Sequence, residues 1–193
     1  MKTYRPCQIV LIVIFSLAAN LLGNFIASAL NLPLWLDSFG TFFTAYCLGP
    51  VCGVIVGVTG NLIQGFVNPV ATVYALSSLF MAIIVGIFSA KGWMETLLKT
   101  MSLSVIVTIV CVFISVTLNI AFFEGRVGNA WGNEIQGLLE EFDVPWIFRV
   151  ITGQFYVDFV DKFFTLCQLY ISIKIYRRVR DKLPKILQIQ NLL

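Results

Sequence analysis

The sequence predicts an all-α polytopic membrane protein, a single membrane domain over residues 1–193 with six transmembrane helices and both termini cytoplasmic. Three observations carry that prediction. Hydrophobic residues make up 59% of the chain and charged ones 12%, against roughly 45–50% and 25% in soluble domains. That is more apolar surface than a soluble core of this size can absorb. Apolar stretches of about 20 residues, the length that crosses a bilayer, recur from end to end. Finally, the basic side chains fall on one side of the alternation those stretches create.

The first span is expected at 7–30, after Lys2 and Arg5. A basic start, an apolar run and Ala27-Ser28-Ala29 also fit a cleaved signal peptide. The run exceeds the usual h-region of about 7–15 residues and carries Asn20 and Asn24, so it reads as a span. Asn31 to Gly40, with a proline, a tryptophan and an acid, is an irregular connection on the outer side. Residues 39–66 are apolar throughout but interrupted at Leu48-Gly49-Pro50, a turn signal that divides them into spans at 39–49 and 51–66. Asn68-Pro69 marks the next turn, and spans at 70–90 and 101–123 follow, separated by a short basic loop. Residues 124–145 hold five acids and form the long outer loop. The sixth span, 146–176, leads into the basic run Arg177-Arg178-Val179-Arg180.

Charge tests this order independently of hydropathy. With the N-terminus inside, the inner side holds Lys2, Arg5, Lys91, Lys99, Lys174, Arg177, Arg178, Arg180, Lys182 and Lys185, and the outer loops only Arg126 and Arg149. That satisfies the positive-inside rule. Five spans, with 39–66 as one helix, would set the two basic ends on opposite sides. The net charge of +3 is too small to indicate nucleic-acid binding.

The sixth span carries Asp158, Asp161 and Lys162 in an otherwise apolar helix. A charge at the membrane centre costs roughly 2.5–3.5 kcal/mol on insertion scales, so these groups need partners or a polar cavity. Gln154, Asp158, Asp161, Thr165, Gln168 and Ser172 recur at helical steps on one face. Asp158 and Lys162 are spaced for an ion pair with the acid on the N-terminal side. The acids and the lysine either contact a polar ligand or form a structural seam.

Elsewhere Gly49, Gly53, Gly57, Asn61 and Gly65 recur every four residues, a spacing for close helix packing. Ala19, Gly23 and Ala27 form a second small-residue line on the first span. Asn61, Gln64 and Asn68 share a face near an outer helix end. Trp35, Tyr74, Trp131 and Trp146 gather on the same outer side, where interfacial aromatics are ordinary. Taken together, Trp35, Asp37, Asn61, Gln64, Asn68, Tyr74, Trp131, Gln154 and Asp158 make an aromatic pocket with a few polar groups, the usual composition of a small-molecule site.

An enzyme is not expected. Histidine, the commonest general base and metal ligand, is absent. No nucleotide, zinc-protease or nucleophile-elbow motif occurs, so neither cofactor nor metal is expected. Asp158 and Asp161 as an acid–base pair would be the remaining enzymatic reading. Cys7, Cys47, Cys52, Cys111 and Cys167 lie in apolar surroundings and read as small buried hydrophobes.

Leu32-Pro33-Leu34-Trp35-Leu36-Asp37-Ser38-Phe39-Gly40-Thr41, Leu48-Gly49-Pro50 and Gly53-Val54-Ile55-Val56-Gly57-Val58-Thr59-Gly60-Asn61 resemble the substrate-binding S components of energy-coupling factor transporters. Asp161-Lys162 is similar to an Asp-Lys pair in uncharacterised branches of that family. The resemblance implies a subunit of a bacterial cytoplasmic membrane that captures a vitamin or related small heterocyclic micronutrient outside the cell. A transmembrane coupling subunit and cytoplasmic ATPase subunits would then drive uptake. It also implies that Ala19, Gly23 and Ala27 contact the coupling subunit, and that the connections 31–40, 66–69 and 124–145 close over the substrate. Signatures for riboflavin, thiamine, biotin or folate are absent, and the aromatic and amide content suggests a flat, hydrogen-bonding heterocycle. A membrane sensor signalling to a separate effector is the alternative.

Overall fold

The computed structural model describes residues 5–182, so Lys2 and Lys185, with the side chain of Lys182, lie outside the described residues. Within them the chain is all-helical: α1 (Pro6–Ala29), α2 (Phe39–Leu48), α3 (Pro50–Gly65), α4 (Val70–Val73), α5 (Ala75–Ala90), α6 (Leu97–Phe123), α7 (Ala130–Glu141) and α8 (Trp146–Lys182). Pro6 opens α1 at the position where a missing N–H costs nothing, and the Gln8 side chain accepts from the Arg5 N–H at 2.9 Å. Gly49, at φ 94°, is the single residue between α2 and α3, a conformation that side chains other than glycine rarely adopt. Pro50 then starts α3 as Pro6 starts α1.

Two elements differ from expectation. The stretch 70–90 is not one helix: α4 ends at Val73 and α5 begins at Ala75, with Tyr74 at the break. The segment 124–145, expected as the long outer loop, holds a helix, α7, in its middle. Asn129 caps α7 by accepting from the Trp131 N–H at 3.0 Å, and α7 packs along α8. Hydropathy alone does not reveal this helix, because its apolar positions are diluted by acids. α6, which starts at Leu97, and α8, which continues to Lys182, are longer than the spans expected at 101–123 and 146–176.

The most extensive contacts pair α3 with α5 and α6 with α8, while α1, α2 and α3 pack on one another and α5 meets α6. Phe42, Met81, Val85, Leu103, Val107, Leu166 and Leu169 form the main apolar cluster. The glycine line of α3 lies against neighbours: a Cβ on Gly53 would meet Ala45 Cβ at 2.6 Å, and one on Gly57 would meet Thr41 at 3.0 Å. Polar bonds reinforce these close approaches. Asn20 donates to Thr41 Oγ1 at 2.9 Å and accepts from the Gly40 N–H at 2.7 Å, and Thr44 donates to Ser16 Oγ at 2.7 Å.

Beside that apolar cluster, polar side chains are buried and large apolar ones exposed to a degree uncommon in soluble domains. Ser16, Thr41, Thr44, Asn119 and Asp161 are wholly buried, whereas Phe25, Phe113 and Phe164 are 69%, 76% and 61% exposed. Two helices, α1 and α6, are long and apolar enough to cross a membrane. α2, α3 and α5 are apolar but shorter, at 10, 16 and 16 residues.

Candidate functional site

The connection 31–38 descends between helices to meet the middle of α8. Asn31 and Leu36 have φ of 49° and 54°, left-handed conformations that leucine adopts only under constraint. The constraint is Asp161, fifteen residues into α8 and about 22 Å along its axis. Its Oδ1 accepts from the N–H groups of Trp35 at 3.0 Å and Leu36 at 2.8 Å. Buried non-helical backbone needs such partners. Oδ2 of the same carboxylate lies 2.6 Å from Lys162 Nζ, which also donates to Ser38 Oγ at 3.1 Å. The Ser38 hydroxyl in turn donates to Asp37 Oδ1 at 3.0 Å.

This arrangement corrects the expected ion pair. Lys162 bonds its sequence neighbour Asp161, not Asp158 one turn away. The reason is the descending connection: its two amides engage one oxygen of Asp161, and Ser38 draws the lysine towards the other. Asp158 is left with Oδ2 unbonded, although it is only 3% exposed.

Above the cluster lies a cavity of about 430 Å³. Eight of the nine predicted ligand residues line it: Trp35, Asp37, Asn61, Gln64, Asn68, Tyr74, Gln154 and Asp158. The rings of Trp35 and Tyr74 are 6.5 Å apart and tilted by 38°, and Tyr74 stacks on Phe123 at 6.2 Å. The Tyr74 hydroxyl donates to Asn119 Oδ1. Asn119 donates to Gln154 Oε1 at 2.8 Å, and Gln154 stands one helical turn before Asp158 on the same wall. A polar chain thus runs from the aromatic wall to Gln154, beside the carboxyl group of Asp158. Asn61 donates to Gly57 O at 3.0 Å and to Ser78 Oγ at 2.5 Å, which fixes its amide at the cavity edge.

Trp131 is not on the cavity wall. Its indole N–H donates to Asn31 O at 2.7 Å, and Asn129 Nδ2 donates to Leu32 O at 3.1 Å, so both clamp the connection 31–38 from α7's side. An indole N–H beside an open backbone carbonyl finds that partner first. The small-residue line of α1 is likewise taken up inside the chain. A Cβ on Gly23 would strike the Leu36 carbonyl oxygen, Ala27 is buried, and Ala19 is half-buried. Gly23 therefore accommodates the chain's own connection on one side, and it keeps part of its surface exposed, as Ala19 does. Among the cysteines Cys111 is buried and lines the cavity, whereas Cys7 is exposed.

Asn24, Ser77, Ser78, Ser115 and Lys162 also line the cavity, and Asn119 supports it. The sequence holds a signal for two of these. Ser104, Thr108, Cys111, Ser115 and Asn119 recur at steps of four, three, four and four through α6, a polar stripe matching that of α8. Comparison with family models, curated proteins and solved structures finds no match to this chain.

Proposed function

We propose that the chain is a six-span membrane protein that binds a small heterocyclic nutrient on its outer side and delivers it to separate coupling and ATPase subunits. The observation that carries this reading is the cavity, enclosed by two aromatic rings, several amides and a buried carboxyl group with one oxygen unpartnered. Its volume of about 430 Å³ lies in the usual range of roughly 300–1,000 Å³ for small-molecule sites. Asp161 is committed to the connection 31–38, which leaves Asp158 as the acid of α8 open to a ligand.

Membrane residence is supported by the apolar exterior. Only 17% of the apolar window of α1 and 33% of that of α6 is buried, whereas the core helix of a soluble protein is mostly covered. The six crossings are α1, α2, α3, α4 with α5, α6 and α8. α2 has ten residues and so reaches about 15 Å, half of a hydrocarbon core of about 30 Å. The descending connection 31–38 supplies the remaining depth. Irregular backbone is tolerated there only where protein groups satisfy it, which is the service Asp161 performs. Arg177, donating to Tyr46 OH at 3.1 Å, ties the inner ends of α8 and α2 together on the basic side.

Co-expression with candidate coupling subunits, followed by mass spectrometry of co-purifying small molecules and ATP-dependent uptake into vesicles, tests the proposal. Bound ligand without uptake in the presence of every coupling subunit would favour a sensor. Trp35→Ala is expected to lower ligand affinity by about 1–3 kcal/mol, the usual loss for a stacking aromatic. Asn61→Ala should cost about 1–2 kcal/mol. Equilibrium binding to purified variants that still insert into the membrane checks both, and unchanged affinity in the pair would remove this cavity from consideration.

A further inference from the structure

We propose that the ligand of this cavity is a cation, with its charge spread over a planar amidinium-like or protonated aminoheterocyclic group received by Asp158 and Asp37. The inference rests on the reading of the cavity as a ligand site and adds its charge class. The acidic and basic side chains on the wall are Asp37, Asp158 and Lys162. Lys162 is already neutralised by Asp161 at 2.6 Å. Two carboxyl groups thus face the cavity with no cation left to balance them, and no arginine lines the wall among the described residues. Ser38 satisfies one oxygen of Asp37, while Oδ2 of Asp158 has no partner.

Carboxylates buried in this way are costly unless a charge or donors reach them. A ligand cation supplies both, and a planar amidinium offers two N–H groups in the fork geometry that suits a carboxylate. The tilted pair Trp35 and Tyr74 adds faces on which a flat cation is favoured over a neutral ring. The same wall disfavours phosphorylated or carboxylated ligands, which would meet two acids and a lysine that is already bonded twice.

The test uses the purified full-length chain in detergent micelles. It is titrated with benzamidine and 2-naphthamidine and with the matching amides and carboxylates, read by tryptophan fluorescence and thermal shift. The amidines are expected to bind about tenfold or more tightly than the amides, with no binding of the carboxylates. Asp158→Asn should reduce amidine affinity about tenfold while leaving the amides within about twofold. Asp37→Asn carries the same comparison if the first variant is not recovered folded. Equal or better binding of amides or carboxylates, silence across the whole series, or unchanged amidine affinity in both variants overturns the inference. Neither coupling subunit nor ATP is needed, so cation preference without uptake would reject the transport reading alone. Uptake of a neutral nutrient would reject the cation alone.

Discussion

Asp161→Ala should destabilise the protein by about 3–5 kcal/mol, the cost of stripping one partner from a buried ion pair, and leave little folded material. The carboxylate accepts from the amides of Trp35 and Leu36 through Oδ1, and its Oδ2 meets the ammonium of Lys162 and, at 3.4 Å, the Ser38 hydroxyl. Its loss orphans a lysine that is 4% exposed and two backbone groups in a connection already held at an unfavourable φ. The double variant Asp161→Asn with Lys162→Met should recover part of the loss. It removes both charges and keeps a side-chain oxygen for the two amides. Thermal unfolding in detergent ranks the three proteins. A single variant that melts with the parent, or a double variant no better than the single, would mean that Asp161 does not hold the connection.

Gly40→Ala is expected to cost about 3 kcal/mol or to prevent recovery of the protein, because overpacking against fixed atoms is not relieved by a rotamer change. A Cβ at this position would strike the carbonyl oxygen of Ser16 and lie 2.5 Å from its carbonyl carbon, so α1 and α2 would have to separate. Separation would also break the bond from the Gly40 N–H to Asn20 Oδ1. Gly137→Ala is the control in α7, where an added methyl meets nothing within 4 Å. It should stabilise the helix by up to about 1 kcal/mol. Unfolding midpoints that move in the same direction for both variants would contradict the close approach of α1 and α2.

Much of the site is legible in the amino-acid sequence. The amides of Asn61, Gln64 and Asn68 and the step pattern of Gln154 and Asp158 depend only on helical spacing, and all five residues line the cavity. Trp131 does not, because an aromatic side chain near an outer helix end reads the same whether it faces a ligand or a carbonyl such as Asn31 O. Gly23 meets the chain's own connection at Leu36, a contact its small-residue line does not announce, since such a line signals a close neighbour without saying whether it belongs to the same chain. Asn119, the link between Tyr74 and Gln154, is invisible to hydropathy and emerges only from the polar stripe of α6.

From the sequence alone come the helical class, the apolar character of the long segments, the turn at Gly49-Pro50 and the inward polar face of α8 from Gln154 to Thr165, although Gln168 and Ser172, expected on the same face, are exposed. Each depends on residues within a few turns of one another, where composition and the 3.6-residue period are sufficient. Tertiary structure alone decides that Lys162 pairs with Asp161, that Asp158 keeps a free oxygen, and that the connection 31–38 enters the bundle. Residues 35 and 161 are 126 positions apart. Which of two nearby acids loses its freedom depends on where a distant backbone amide arrives, and no local periodicity records that.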